Sequence, residues 1–140
     1  MAHPWLVTYR GIAHPWLVDR LGHLNTRNYF AALDDGMQHF FSLLGYRHDE
    51  NFGWADVSHT ISYSHEIPSG ALFHVESALT RVGGKALSYK QRIVLTDTGV
   101  IAAEVDAVTV LFDLTARAAV AAPTIIRENA EAFILPVEAP

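Results

Sequence analysis

The sequence predicts an α+β protein in which one long amphipathic helix lies across an antiparallel sheet of about five strands. Three observations carry that expectation. Apolar residues recur at three- and four-residue spacing through about 26–44. Four stretches rich in β-branched and aromatic residues then follow one another. Turn-forming runs separate them: Pro68-Ser69-Gly70, Gly83-Gly84 and Asp97-Thr98-Gly99.

Taken in order, the first element is a short strand at about 8–12. Around it lies a repeat: Ala2-His3-Pro4-Trp5-Leu6-Val7 recurs letter for letter as Ala13-His14-Pro15-Trp16-Leu17-Val18. Two copies are too few for a solenoid, so a local duplication is the reading. The helix comes next, with Tyr29, Phe30, Leu33, Met37, Phe40, Phe41 and Leu44 forming its apolar stripe. Asn25 suits the N-cap and Gly45 the position after the C-cap. Gly36, inside the stripe, marks close backbone packing at roughly 1 kcal/mol against alanine.

In 54–67, Val57, His59, Ile61, Tyr63, His65 and Ile67 alternate with polar residues, which reads as a strand. Further strands are expected at about 71–82, 85–96 and 100–113, joined in an antiparallel meander. The alanine-rich tail beyond Pro123 has room for a short helix near 124–131. No linker divides the chain, so residues 1–140 read as one domain.

Composition narrows the function classes. The chain has 140 residues, half of them apolar, enough to bury a core. A net charge of -5 and a pI near 5.8 argue against a nucleic-acid or anionic-membrane binder. No targeting segment or membrane-spanning run is recognisable, and a cytoplasmic protein is the expectation. The absence of cysteine removes disulfides, thiolate nucleophiles and Cys-ligated zinc. Eight histidines invite a metal reading, which fails on spacing: His59 and His65 lie about 20 Å apart on an extended strand. No metal and no cofactor are expected.

The segment that carries chemistry is Val18-Asp19-Arg20-Leu21-Gly22-His23-Leu24-Asn25, followed by Tyr29. It joins the first strand to the helix, bringing a carboxylate and a histidine to a helix N-terminus. Free backbone N–H groups and a partial positive charge at that end suit a developing oxyanion.

This stretch resembles the D-x-x-G-H-x-N-x-x-x-Y signature of hotdog-fold acyl-CoA thioesterases, the 4-hydroxybenzoyl-CoA thioesterase-like family, in Asp19, Gly22, His23, Asn25 and Tyr29. The resemblance continues in Tyr63-Ser64-His65-Glu66-Ile67-Pro68-Ser69-Gly70, in Val82-Gly83-Gly84-Lys85-Ala86-Leu87 and in Leu111-Phe112-Asp113, and covers about 8–127. It implies a hotdog fold and thioester hydrolysis in a site shared by two subunits. Asp19 falls on the family's catalytic carboxylate, nucleophile or general base, and the Thr26 N–H on an oxyanion donor. His23 positions water or the carboxylate, or simply bonds the turn. Asn25 caps the helix and reaches the substrate or water. Gly22, Tyr29 and Glu66 complete the set beside the substrate, Gly22 through the turn and Tyr29 through packing. Family members often carry a second acid two residues before the catalytic one; here Leu17 stands there.

Other groups compete for these roles. Asp34 and Asp35 lie on the helix, where some hotdog enzymes place their acid, although a solvated or subunit-facing surface explains them as well. Glu66 also reads as a surface ion pair. Trp16, Trp54 and Tyr63 line an acyl pocket or pack in the core. A CoA substrate needs cations for its phosphates, and Arg81, Lys85, Lys90, Arg92, Arg117 and Arg127 are available. Two readings stand beside hydrolysis: a non-catalytic acyl-CoA binding module and a hotdog acyl-thioester hydratase or dehydratase, whose usual motif is not found. Open sheet edges lead to a homodimer or homotetramer.

Overall fold

A computed structural model describes residues 4–136. Strand β1 (Leu6–Ile12) leads through a single 3-10 turn (Pro15–Leu17) to helix α1 (Thr26–Leu43). Strands β2 (Phe52–Tyr63), β3 (Leu72–Val82), β4 (Ala86–Leu95) and β5 (Ile101–Asp113) follow, then β6 (Ala118–Val120) and helix α2 (Thr124–Phe133). The expected α+β layers and the tail helix are present.

Helix α1 forms where its apolar spacing says it should. Asn25 caps it by accepting the Arg27 N–H at 3.0 Å. Tyr29, Ala32, Leu33, Met37, Phe40 and Phe41 are buried against the sheet. Each large side chain so buried contributes about 1.5–3 kcal/mol. Phe30 departs from the expected stripe; it is 40% exposed and turns toward β2 rather than into the core. A Cβ at Gly36 would stand 3.0 Å from Thr8 Oγ1 and 3.1 Å from Val75 Cγ1, so the missing side chain is what lets the helix lie this close. Under it, Gln91 Nε2 donates to the Leu33 carbonyl at 2.9 Å and to Ser77 Oγ at 3.1 Å, while the Thr8 and Ser77 hydroxyls meet at 2.8 Å. This buried polar group fixes the helix in register on β1, β3 and β4.

The sheet corrects one expectation. Its order is β1-β3-β4-β5-β2, so only β3, β4 and β5 form a meander, and β2 pairs with β5 along Phe52–Tyr63. The physical reason is that β1 already occupies the free edge of β3, from Leu6↔Ser77 to Ile12↔Leu72. Strand β2 also ends at Tyr63, short of the expected 67. The connection to β3 leaves the sheet and hydrogen-bonds elsewhere: Ile67 O accepts the Leu24 N–H, and the Gly70 N–H donates to Ala13 O. A bulge between Asp56 and Ser58 breaks the alternation, which leaves Val57 61% exposed instead of inward.

Strand β6 was not expected; three residues of Ala-Ala-Val carry too little pattern to show it. It folds back on Leu111–Asp113 through a turn in which Asp113 Oδ1 accepts the Thr115 and Ala116 N–H groups. Helix α2 closes the far end. Asn129 Nδ2 donates to Leu44 O at 2.8 Å, and Arg127 Nη2 donates to Gly83 O and Gly84 O at 2.7 and 2.9 Å. Of the repeat, Ala2 and His3 lie outside the described residues, while Leu6-Val7 is strand and Pro15-Trp16-Leu17 is 3-10 turn.

Candidate active site

The segment between the 3-10 turn and α1 is a tight loop whose backbone bonds itself. The Gly22 N–H donates to Asp19 O at 3.0 Å, and the Asp19 N–H donates to His23 O at 3.2 Å. Gly22 sits at φ 84, the left-handed region, and a Cβ there would touch nothing. Glycine is therefore required by the backbone rather than by space. The Val18↔Leu24 bridge closes the loop on itself, and the His23↔Pro68 bridge sews it to the chain after β2.

That sewing aims the side chains. Asp19 Oδ1 accepts the Leu21 N–H at 2.9 Å, and Asp19 Oδ2 accepts Asn25 Nδ2 at 3.0 Å. Both carboxylate oxygens are thus oriented, and each keeps lone-pair capacity for a further partner. Asn25 does two jobs, holding Asp19 with its amide nitrogen and capping α1 with its amide oxygen. The Arg27 N–H is spent on the cap and the Asn28 N–H on Asn25 O. The Thr26 N–H, first in the helix, has no acceptor among the described residues.

His23 Nε2 lies 2.8 Å from Glu66 Oε2, with the two side chains 34% and 56% exposed. Glu66 is therefore not on the polar face of a strand, as its spacing suggested, but in the connection that crosses beneath the loop. Tyr29 is buried; its hydroxyl donates to His65 O at 3.3 Å, and its ring meets Tyr63 edge-on at 5.3 Å. Burial pushes the Tyr29 hydroxyl pKa up, which keeps it a donor.

Asp19, His23, Thr26, Tyr29, Tyr63 and Glu66 line one shallow cavity of about 330 Å³. Asn25 supports it from behind, and Gly22 shapes it only through the turn. Asp34 and Asp35 lie outside it, exposed farther along α1. Trp16 is neither core nor pocket wall; it is 74% exposed and stacks on His14. Trp54 packs inward on Phe41 at 4.2 Å. Among the described residues, no three of His, Cys, Asp and Glu gather to hold a metal ion.

Several cations offered for phosphate are engaged elsewhere. Lys90 pairs with Asp106 at 3.3 Å, Arg92 with Glu76 at 2.6 Å, and Arg127 holds the β3–β4 turn. Arg20 and Arg27 escaped the sequence reading, although adjacency to Asp19 and to the helix start was signal enough to name them. Neither forms an ion pair among the described residues.

A sheet curled along one helix, with a loop carboxylate delivered to that helix's N-terminus, is the hotdog arrangement of thioesterases. The chain belongs to the thioesterase-like superfamily, whose family pattern matches residues 13–130. No curated protein matches it. Among solved structures it is similar to the PA5185 protein of Pseudomonas aeruginosa, at 17% identity and a TM-score of 0.84 over 98% of this chain and 97% of that one. A protein of Staphylococcus aureus, SAV2348, determined in complex with CoA, gives 16% and 0.83 over 100% and 93%. YbaW of Escherichia coli, a probable thioesterase, gives 20% and 0.71 over 95% and 100%. At these identities the likeness establishes the fold. Among the described residues no helix is long and apolar enough to cross a membrane.

Proposed function

We propose that this chain, acting as one domain, hydrolyses an acyl-CoA thioester to a free acid and CoA in the cavity beside Asp19. The observation that carries the reading is the pairing of an oriented carboxylate with an unused helix N-terminal N–H in one cavity. The thioester carbonyl oxygen lies on the Thr26 N–H, where the helix dipole adds to the hydrogen bond. Asp19 takes a proton from water as the water oxygen adds to the carbonyl carbon. The C–S bond then breaks, and the departing thiolate takes up the proton. A direct attack by Asp19 reaches the same products through an anhydride that water opens. His23, held by Glu66, positions the water. The CoA bound to the Staphylococcus aureus protein supports CoA as the thiol here. Arg20 and Arg27 are the first candidates for its phosphates.

Thiol release from a panel of aliphatic and aromatic acyl-CoAs tests this reading, and a protein without cysteine contributes no background. Turnover of at least one ester is expected. Binding without thiol release identifies a sensor instead, and a changed acyl chain identifies a hydratase; either overturns the proposal.

The site is proposed to be completed by a second copy of the chain. Strand β2 is a sheet edge whose Val57 and Tyr63 are 61% and 50% exposed, and Tyr63 walls the cavity. Pairing through that edge removes it from solvent and closes the cavity. Light scattering at micromolar concentration is expected to give a dimer or tetramer; a monomer with full activity would sink the shared site.

A further inference from the structure

The ladder between β2 and β5 decides which backbone groups β2 turns to its open edge. The Ser64 N–H donates to Ala102 O at 2.9 Å, and Ser62, Thr60 and Ser58 follow in the same register on Glu104, Asp106 and Val108. Residues of an antiparallel ladder alternate between bonding across and facing away. The N–H and C=O groups of Tyr63, Ile61 and His59 therefore face the open edge. Their side chains lie on the helix side of the sheet. His59 meets Phe30, Ile61 packs on the core, and Tyr63 meets Tyr29 and walls the Asp19 cavity. On the other face Thr60 and Ser62 stand beside Asp106 and Glu104.

That edge suits a second copy of the same strand. From Ser58 to Tyr63 it holds no Lys, Arg, Asp, Glu or Pro, the residues that block an edge against pairing. The opposite edge, β1, carries Arg10. A chain of net charge -5 repels its own copies, and this neutral stretch lets two approach without opposing carboxylates. The bulge between Asp56 and Ser58, which leaves Val57 exposed, ends the regular edge. The ladder open to a second copy is thus 58–63. One twofold register pairs its three edge-facing residues among themselves, Ile61 opposite Ile61 and His59 opposite Tyr63. Centring the axis on His59 sets imidazole against imidazole, and centring it on Ser62 sets His59 against His65. Centring it on Thr60 leaves Tyr63 facing the bulge.

We propose that β2 pairs with β2 of a second copy about an axis at Ile61, so that His59 of the partner subunit stands beside Tyr63 as a wall of the Asp19 cavity. The inference rests on the shared site proposed above and names its register and the residue that crosses. Directly opposed side chains in such a ladder lie about 4.5–5.5 Å apart at Cβ, close enough for an imidazole to touch a phenol ring. A protomer's own His59 lies four residues from its Tyr63, about 13 Å along the strand, and serves the other site. Each cavity thus takes its carboxylate from one chain and an imidazole wall from the other.

A cysteine scan tests the register, because the chain has no cysteine of its own. In this register Thr60 and Ser62 of opposite copies face each other without bonding through their backbones. Such a pair lies about 4.5 Å apart at Cα, within disulfide reach. Under mild oxidation Thr60→Cys/Ser62→Cys is expected to double in mass on non-reducing electrophoresis. Thr60→Cys, Ser62→Cys and Ser58→Cys singly are expected to keep the mass of one chain, since their like positions lie about 7 Å or more apart. Crosslinking of any of the three alone puts the axis at that residue and overturns the placement of His59. A double variant that keeps its thermal midpoint and forms no crosslink overturns pairing through this edge. Kinetics test the crossing residue separately. His59→Ala is expected to raise KM several-fold with kcat unchanged, as lost ground-state binding does. Mixed with excess Asp19→Asn chains, the only competent Asp19 faces the native His59 of the partner subunit, and KM is expected to return to the wild-type value. A KM that stays raised in the mixture, or that His59→Ala never raises, overturns the proposal. Crosslinking in a protein that hydrolyses no ester leaves the register standing and removes the thioesterase reading; hydrolysis without the crosslink does the reverse.

Discussion

Replacing Asp19 by Asn is expected to lower kcat by about 10²–10⁴-fold while leaving KM within a few fold. That is the range associated with losing a positioned general base. The amide is isosteric and its oxygen still accepts the Leu21 N–H, so the loop keeps its shape on that side. The other side is less forgiving, because the new NH₂ group faces Asn25 Nδ2, itself a donor. Turning the Asn25 amide to relieve that clash would withdraw the acceptor now capping Arg27 N–H. A loss of rate therefore has two sources that need separating. The double variant Asp19→Asn/Asn25→Ser separates them, since serine caps a helix about as well as asparagine and removes the opposing donor. If Asp19 supplies the base or nucleophile, the double variant stays inactive with a normal thermal midpoint. Recovery of the rate would mean that Asp19 acts only by shaping the loop.

The contiguity of that loop explains why the sequence could be read so far. Asp19, Gly22, His23 and Asn25 fall within seven residues, and a helix start is one of the clearer local signals. Asn25 as cap, Gly36 as close contact and the two turns of the β3–β5 meander follow from local chemistry alone. The pairing of His23 with Glu66 does not, because it depends on where β2 goes. Nothing in 54–67 states that its partner is β5; that outcome follows from β1 having taken β3 first. The Asp56 bulge likewise turned an apparently regular alternation into two half-strands of opposite facing. The repeat shows the limit most plainly. The same letters form a strand beside β3 at Leu6-Val7 and a 3-10 turn at Trp16-Leu17, so tertiary pairing overrode local preference.

The route taken by β2 also predicts where the fold is most easily broken. Helix α1 lies on β1, β3 and β4, and it reaches β2 through ring contacts: Tyr29 with Tyr63, Phe30 with His59, Phe41 with Trp54. Of these helix residues, Phe41 is wholly buried, stacking on Trp54 at 4.2 Å and meeting Tyr89 edge-on at 5.8 Å. Phe41→Ala is expected to cost about 3–5 kcal/mol, the transfer of a buried ring plus the cavity it leaves. Phe41→Leu, which fills much of that cavity, is expected to cost clearly less, about 1–2 kcal/mol. Denaturant titration at one fixed protein concentration measures both, because a dimer's midpoint moves with concentration. The midpoint should fall with little change in slope. The alanine variant should also lose activity ahead of global unfolding, since Trp54 anchors the strand whose other end carries Tyr63 into the cavity. A loss below about 1 kcal/mol for Phe41→Ala would show that β2 is held by its ladder to β5 alone, and that the aromatic seam carries none of the coupling between helix and strand.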